Sequence, residues 1–400
     1  MEPDTNSNQR RVIQASEILA KIERDEDVEY DDVIVEGDLD LSGLELQMWH
    51  VDREEFEVLS ELSNWLKVIR SRINIISSEI RGNLNFNNAH FLKEICFEKS
   101  ELSGNFEFQG SEFGGDADFH GAVFVDYANF QGVVFDGNVN FEGSEFGVDT
   151  NFLETEFSGY ANFKAVNFAG HANFEWASFN GIYTNFERAE FIEAADFEGA
   201  NFDRNTMSFK DAKFGDPWSQ QVACRIAKRK MEDQGNKKEA DYYFYREMEA
   251  VRLQNGIKGI KQENHQSPSN IREWMSLFGY KIAQILSKIK RFLIYDFLEY
   301  IFIQRVFGYG VRPFNVAKAW LIVVFTLGFV YWVGSGVEKA NNTLEWYEYF
   351  YFSIVTAATP GYAGYTPASG LYTLIAGAQA IFGTFMWAAF IATFARKWQR

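Results

Sequence analysis

From Phe86 to Phe214 an aromatic side chain returns at spacings that alternate between 5 and 6 residues: Phe108, Phe113, Phe119, Phe124, Phe130, Phe135, Phe141, Phe146, Phe152, Phe157, Phe163, Phe168, Phe174, Phe179. Leu102 stands in once, and spacings of 7 precede Phe186 and Phe209. Two residues before nearly every aromatic sits a small or β-branched residue, as at Ala117, Ala122, Ala128, Val133, Val139, Ser144, Thr150, Thr155, Ala161 and Val166. Neither the 3.6-residue period of a helix nor the two-residue period of an ordinary strand fits this run. A fixed short period with two inward positions per unit is what a solenoid needs, because each face buries its side chains only by stacking on the next coil.

The pattern resembles the pentapeptide-repeat family, in a variant that adds one residue every second unit. The resemblance implies a right-handed quadrilateral β-helix with four units per coil. About 22 residues then make a coil, and about six coils at ~4.8 Å each give a rod near 30 Å long, filled by phenylalanine ladders. The register extends backward through Ile73, Ile75 and Ile80, and GDLDLSGL (Gly37 to Leu44) reads as an isolated earlier coil. A helical-looking insertion near 51–66 separates it from the rest. The segment Arg11 to Asp25 reads as a short amphipathic helix within an N-terminal cap, 1–32, closing the open end of a repeat domain that covers 33–215.

Charge is divided unevenly. The net charge is −18, and residues 101 to 200 hold 18 Asp or Glu against two basic residues, Lys164 and Arg188. The rod is the acidic part. Two readings of that surplus follow: a solvated face that keeps a flat rod soluble, and a docking face for a protein partner, as in the acidic members of the resembled family that mimic DNA and bind topoisomerases. Nucleic acid itself is not an expected partner. Residues 216 to 312 reverse the balance, with 17 Lys or Arg against 11 Asp or Glu, which suits a section lying against anionic headgroups.

Two apolar stretches follow, Phe314 to Gly334 and Gly370 to Phe394. Each has about the ~20 residues that a helix needs to cross ~30 Å of hydrocarbon. Arg305, Arg312 and Lys318 precede the first, and Arg396, Lys397 and Arg400 follow the second, while Lys339 is the one basic residue between them. Positive residues stay inside, so both termini are expected to be cytoplasmic in a multi-pass protein of the cell membrane. The opening MEPDTNSNQR is polar, and the first span is expected to direct insertion. Between the spans, TLEWYEYFYFSIV reads as a helix too short and too polar at its start to cross, and the segment 356–367, TAATPGYAGYTP, follows it. A loop at membrane depth is tolerated only where protein buries it or where it lines a wet cavity.

This order of elements resembles the two-transmembrane pore domain of the potassium channel superfamily, whose filter core reads TVGYG. The matching residues are Thr359, Pro360, Gly361, Tyr362 and Ala363, with Thr356 at the earlier threonine and Gly364 where an acidic residue commonly follows. The resemblance implies a ring of backbone carbonyls that replaces the hydration shell of an ion. It also implies a gating hinge at Gly383, in the middle of the last helix; packing is the other use of a small residue there. Two departures argue against an ordinary filter. Ala363 has a Cβ that resists positive φ, and Pro360 lacks an N–H and pushes Thr359 away from the helical region. The filter thus fits a wider, hydrated, weakly selective cation pore as well as a potassium-selective one.

A helical connector and linker, 216–270, and a basic aromatic interfacial helix, 271–312, are expected between rod and pore domain, 313–400. GYGVRPF (Gly308 to Phe314) then turns the chain into the first span. The whole order resembles pentapeptide-repeat ion channels. Little points to an enzyme: His50, His90, His120, His171 and His265 are dispersed, no phosphate-cradling loop follows a strand, Cys224 is isolated, and Cys96 is expected in the core. No cofactor is implied, only a permeant monovalent cation, potassium or sodium. One two-span unit cannot enclose a pore, so a homo-oligomer is expected, four copies by resemblance, with membrane lipid around it. The competing expectation is a membrane-tethered scaffold that conducts nothing.

Overall fold

In a computed structural model, the described residues are 10–51, 62–202, 206–261, 299–339, 343–358 and 364–399. They fall into two compact units, Met1–Gln254 and Asn255–Arg400.

The first unit is a β-solenoid with four sheets that are nine, seven, eight and seven strands deep. Along most of its length its strands pair in parallel with partners 22 or 23 residues on: Phe91, Phe113, Phe135, Phe157 and Phe179 form one column. Leu102, Phe124, Phe146, Phe168, Phe191 and Phe214 form another. Stacked rings along a column lie nearly parallel, 4.9 Å apart for Phe130 and Phe152 and 4.7 Å for Phe152 and Phe174. Rings of neighbouring columns meet edge to face, as Phe141 does Phe152 at 5.7 Å. Both geometries suit the quadrupole of the ring. The small residues two places earlier are buried as well, and the hydroxyls of several donate to carbonyls of the preceding coil: Ser111 Oγ to the Phe86 carbonyl at 2.7 Å, Thr155 Oγ1 to that of Phe130 at 2.8 Å.

The alternation of 5 and 6 has a conformational cause. Asn88, Lys99, Gly110, Gly121, Gly132, Gly143, Glu154, Ala165 and Trp176 all take positive φ, one in every eleven residues. The shorter step of each pair thus carries one left-handed residue that turns a corner tightly, where glycine is the least strained choice. At other corners adjacent coils approach so closely that a side chain has no room. A Cβ on Gly137 would lie 2.5 Å from the Gly115 carbonyl oxygen.

The solenoid begins earlier than the repeat suggests. Leu39–Asp40 pairs in parallel with Leu84–Asn85, 45 residues on, so the GDLDLSGL coil is stacked on the rest and not isolated. The helical insertion expected near 51–66 falls mostly on residues outside those described. Its described end, Trp65–Ile69, is a strand antiparallel to Met48–His50. The cap also differs from an all-helical one. Arg11–Gln14 is a strand on Val33–Glu36, because β-branched Val12 and Ile13 complete the open edge, and the helix runs Ala15–Glu23 with Ile18 and Ile22 buried.

At the other end, the stretch expected as a connector closes the solenoid. Two helices, Pro217–Asp233 and Lys237–Lys261, do this, the first starting from an Asp216 cap whose carboxylate accepts from the Ser219 N–H at 2.8 Å. Ala223, Cys224, Ala227, Met231 and Tyr243 join the solenoid core. The amides left open by the last coil find side chains: Phe209 N–H donates to Tyr243 Oη at 2.9 Å, Asp211 N–H to Tyr242 Oη at 3.0 Å, and Ala195 N–H to Ser219 Oγ at 2.9 Å. Burial pushes both the Tyr243 phenol and the Cys224 thiol up to about 12, so both stay neutral. Most of the linker and interfacial helix expected over 262–312 lies outside the described residues.

In the second unit a π-helical segment, Glu299–Val306, and a tight turn, Gly308–Gly310 with Tyr309 at φ +53, precede the first span, Pro313–Val333. A 13-residue helix, Trp346–Ala358, and a 30-residue helix, Gly370–Gln399, follow. The first and last are long and apolar enough to cross a membrane. The middle one, roughly 20 Å long, is not.

Phe141→Ala or Phe152→Ala should cost about 3–5 kcal/mol, since a stacked axis cannot collapse around the void. Asp136→Lys or Glu145→Lys, at exposed positions, should cost under ~0.5 kcal/mol. Thermal melts of the isolated substitutions check this; equal tolerance would mean that the ladder is not the core. Glu142 is less neutral ground than its place suggests, because its carboxylate accepts from Lys164 at 2.7 Å and Asn162 at 3.1 Å.

Candidate functional site

The segment Thr359–Ala363 lies outside the described residues, but both of its attachments are described. On the N-terminal side the short helix ends at Ala358. Its Thr356 is buried, and Thr356 Oγ1 meets no hydrogen-bond partner among the described residues. On the C-terminal side Gly364 takes φ +87, a conformation that favours glycine, and Tyr365–Pro367 forms an antiparallel pair with Val337–Lys339.

That small hairpin is tied to the start of the short helix. Lys339 Nζ donates to Glu348 Oε1 at 2.8 Å, Tyr365 Oη donates to the same oxygen at 2.9 Å, and the Glu345 N–H donates to Glu348 Oε2 at 2.8 Å. The Glu348 carboxylate sits in the first helical turn, where the macrodipole favours negative charge, and Lys339 lies over the Tyr365 ring at 5.0 Å. Thus one acidic residue joins the two strands that leave the first span and enter the second.

A buried polar network links all three helices. Gln379 Nε2 of the last helix donates to the Ser353 carbonyl at 2.9 Å and to Ser353 Oγ at 2.6 Å. Tyr331 Oη of the first span donates to Gln379 Oε1 at 2.9 Å, and Ser353 Oγ donates to the Val324 carbonyl at 2.7 Å. All three side chains are buried. Gly383, one turn beyond Gln379, is pressed against the carbonyl oxygen of Ala357, and a Cβ there would overlap it. The structure therefore gives a packing reason for glycine at the position expected to be a hinge.

Sequence reasoning missed Glu348, Gln379, Ser353 and Tyr331 as site residues and named Lys339 only as a loop charge. The available signal was the rule that a polar residue inside an apolar, membrane-embedded run is there for a partner. Elsewhere, among the described residues, Cys96, Glu98 and Asp118 bring three metal-ligating atoms within 4.8 Å of one another. Cys96 is half-buried on the outer face, not in the core; its neighbours Ile95 and Phe97 point inward instead.

Pentapeptide repeats (nine copies) match residues 86–133 and 97–145, and the ion channel family matches residues 319–400. No curated protein and no solved structure matches the chain. The chain is a pentapeptide-repeat β-solenoid fused to a two-transmembrane, potassium-channel-like ion-channel domain. The ion-channel match points away from an enzyme.

Gly383→Ala would gain about 1 kcal/mol of helix propensity. The overlap with backbone should outweigh that gain, costing about 1–3 kcal/mol, because a carbonyl cannot move aside as a flexible side chain can. Gly377→Ala, on the same helix with nothing within 4 Å, should be neutral or stabilising. Melting temperatures of the purified membrane protein compare the two; a stable Gly383→Ala variant with altered gating would restore the hinge.

Proposed function

We propose that this chain is one subunit of a homo-oligomeric, cation-conducting channel of the cell membrane, with both termini cytoplasmic. The observation that carries the reading is the short helix between the two spans, followed by a five-residue segment whose two attachments are separately fastened. A segment meant only to connect two spans needs neither fastening. In this reading the carbonyls of Thr359, Pro360, Gly361, Tyr362 and Ala363, with Thr356 and Gly364 at their margins, line the path of a monovalent cation. Several copies must surround that path, since one pair of spans encloses nothing; four is the number that the resembled pore domain uses. Membrane lipid covers the outer faces of the spans.

The solenoid is assigned to gating, assembly or docking of a protein partner. Its acidic surface repels nucleic acid and leaves a basic or cationic partner as the chemistry it suits.

Pro360 and Ala363 weaken selectivity between cations. Purified protein in liposomes should pass potassium and sodium in preference to chloride, with a potassium-to-sodium ratio well below that of a TVGYG filter. Pro360→Val combined with Ala363→Gly should raise that ratio, because it restores a backbone N–H and a residue at ease with positive φ. Flux assays over a range of voltage, pH, calcium and membrane tension check this. A protein that passes no cation under any of them is a tethered scaffold, and a reversal potential at that of potassium alone would contradict the weak selectivity.

A further inference from the structure

On the sheet whose Phe97 and Phe119 point into the solenoid, alternate residues point out, and one outward column reads Cys96, Asp118, Asn140, Asn162 in register. Its later members satisfy one another. Asn162 Nδ2 donates to Asn140 Oδ1 at 3.0 Å, and Asn140 Nδ2 to Asp118 Oδ1 at 3.1 Å. The His120 N–H donates to that same Asp118 oxygen at 2.9 Å. There the ladder stops, because a thiol stands where the next asparagine would be, and both donors leave Asp118 Oδ2 uncommitted among the described residues. Two residues beyond the thiol, Glu98 shares its outward face. Cys96 Sγ and one carboxylate oxygen each of Glu98 and Asp118 lie within 4.8 Å of one another, and all three residues are half-buried. The cluster therefore mixes sulfur and oxygen donors drawn from two successive coils.

Burial pushes the Cys96 thiol up, the carboxylates of Asp118 and Glu98 add to that, and the Glu98 backbone N–H opposes them. A neutral thiol between two carboxylates is an arrangement that a dication resolves, since it takes the place of the thiol proton and neutralises the carboxylates. Lys99 Nζ, 2.6 Å from Glu98 Oε1, balances part of this charge, on a side chain exposed enough to swing away. The donor set also selects the ion. Calcium and magnesium prefer oxygen alone, whereas zinc accepts thiolate and carboxylate together. A tetrahedral zinc ion, with Zn–S of about 2.3 Å and Zn–O of about 2.1 Å, needs such ligand atoms roughly 3.5 Å apart, so a side-chain movement of about 1 Å completes the set.

We propose that Cys96, Glu98 and Asp118 form a site for zinc or a similar thiophilic dication, which joins two successive coils of the solenoid. On binding, the S–H bond breaks, its proton leaves to solvent, and the sulfur electron pair goes to the metal. The carboxylates supply one oxygen each, and water takes the fourth position. No electrons change hands. The site fastens coil to coil by bonds that the backbone ladder does not supply, and so makes the stability of the repeat domain respond to the ion. This inference needs only the solenoid and is independent of conduction.

Cobalt(II) is the probe, because thiolate coordination gives it a near-ultraviolet charge-transfer band that carboxylates alone do not. The chain has two cysteines, so Cys224→Ala leaves Cys96 as its one thiol. Titrated into the purified full chain of that variant, cobalt should raise the band to a plateau at one equivalent, and zinc should abolish it by displacement. Adding Cys96→Asn should remove the band, and adding Asp118→Asn should weaken cobalt binding at least about tenfold. Both should fold and melt like their parent, since asparagine already occupies the next two places of the column, at Asn140 and Asn162. Zinc should also slow alkylation of Cys96 at least about tenfold, and magnesium should not. Cobalt bound without the band would mean that the acidic surface holds it with no part for the thiol, and would overturn the proposal. So would a band that survives Cys96→Asn, or an alkylation rate that zinc leaves unchanged. If Cys224→Ala does not fold, the same titrations in the wild type, with Cys96→Asn beside it, decide the question.

Discussion

Every backbone amide and carbonyl needs a partner, and both halves of this chain are arranged around places that supply few. In the solenoid each coil is held by N–H to carbonyl bonds to the next, such as Phe130 to Asn151 and Phe152 to Asn173, both at 2.7 Å. A stack of that kind has two raw edges, which invite pairing with another chain. The first is completed by the Arg11–Gln14 strand and the helix after it, and the last by hydroxyls of Tyr242, Tyr243 and Ser219 on the two closing helices. In the channel domain the same demand is stricter, because hydrocarbon offers no partners at all. The spans meet it by being helices, and between them Trp346–Ala358 is helical while Val337–Lys339 and Tyr365–Pro367 pair in a hairpin.

That demand also explains why polar side chains appear where the composition is most apolar. Glu348 sits within WYEYFYF and gathers Lys339, Tyr365 and the Glu345 amide. Gln379 sits within GAQAIFG and gathers Ser353 and Tyr331. One group braces the exit of the segment 359–363 and the other braces its approach. The phenylalanine ladder, by contrast, needs no polar brace, since identical rings at identical heights pack by shape and edge charge alone.

Much of this architecture was legible in the sequence because repetition is a strong signal. The columns through Phe113 and Phe124 follow directly from spacings of 5 and 6, as do the inward small residues. What the spacing did not carry was its own cause, the left-handed residue at every eleventh position, since Lys99, Glu154 and Trp176 adopt it alongside glycines. The coil at Leu39 looked separate because insertion length hides register: its partner is 45 residues away, where those of the later coils are 22 or 23. The closing helices read as a connector because their tyrosines declare their role only once an open amide is placed beside them. In the channel domain the order of helices was legible from hydropathy and the motif, while Glu348 and Gln379 depend on contacts between elements far apart in the chain, which periodicity does not register.

The central claim is that the interval between the two spans conducts cations. Single-channel recording of the purified full chain in a planar bilayer, with potassium chloride at unequal concentrations across it, tests that claim most directly. The account predicts discrete current steps whose reversal potential lies on the cation side of zero. A bilayer that stays silent at all voltages with the protein demonstrably inserted, or steps that reverse on the chloride side, would contradict it.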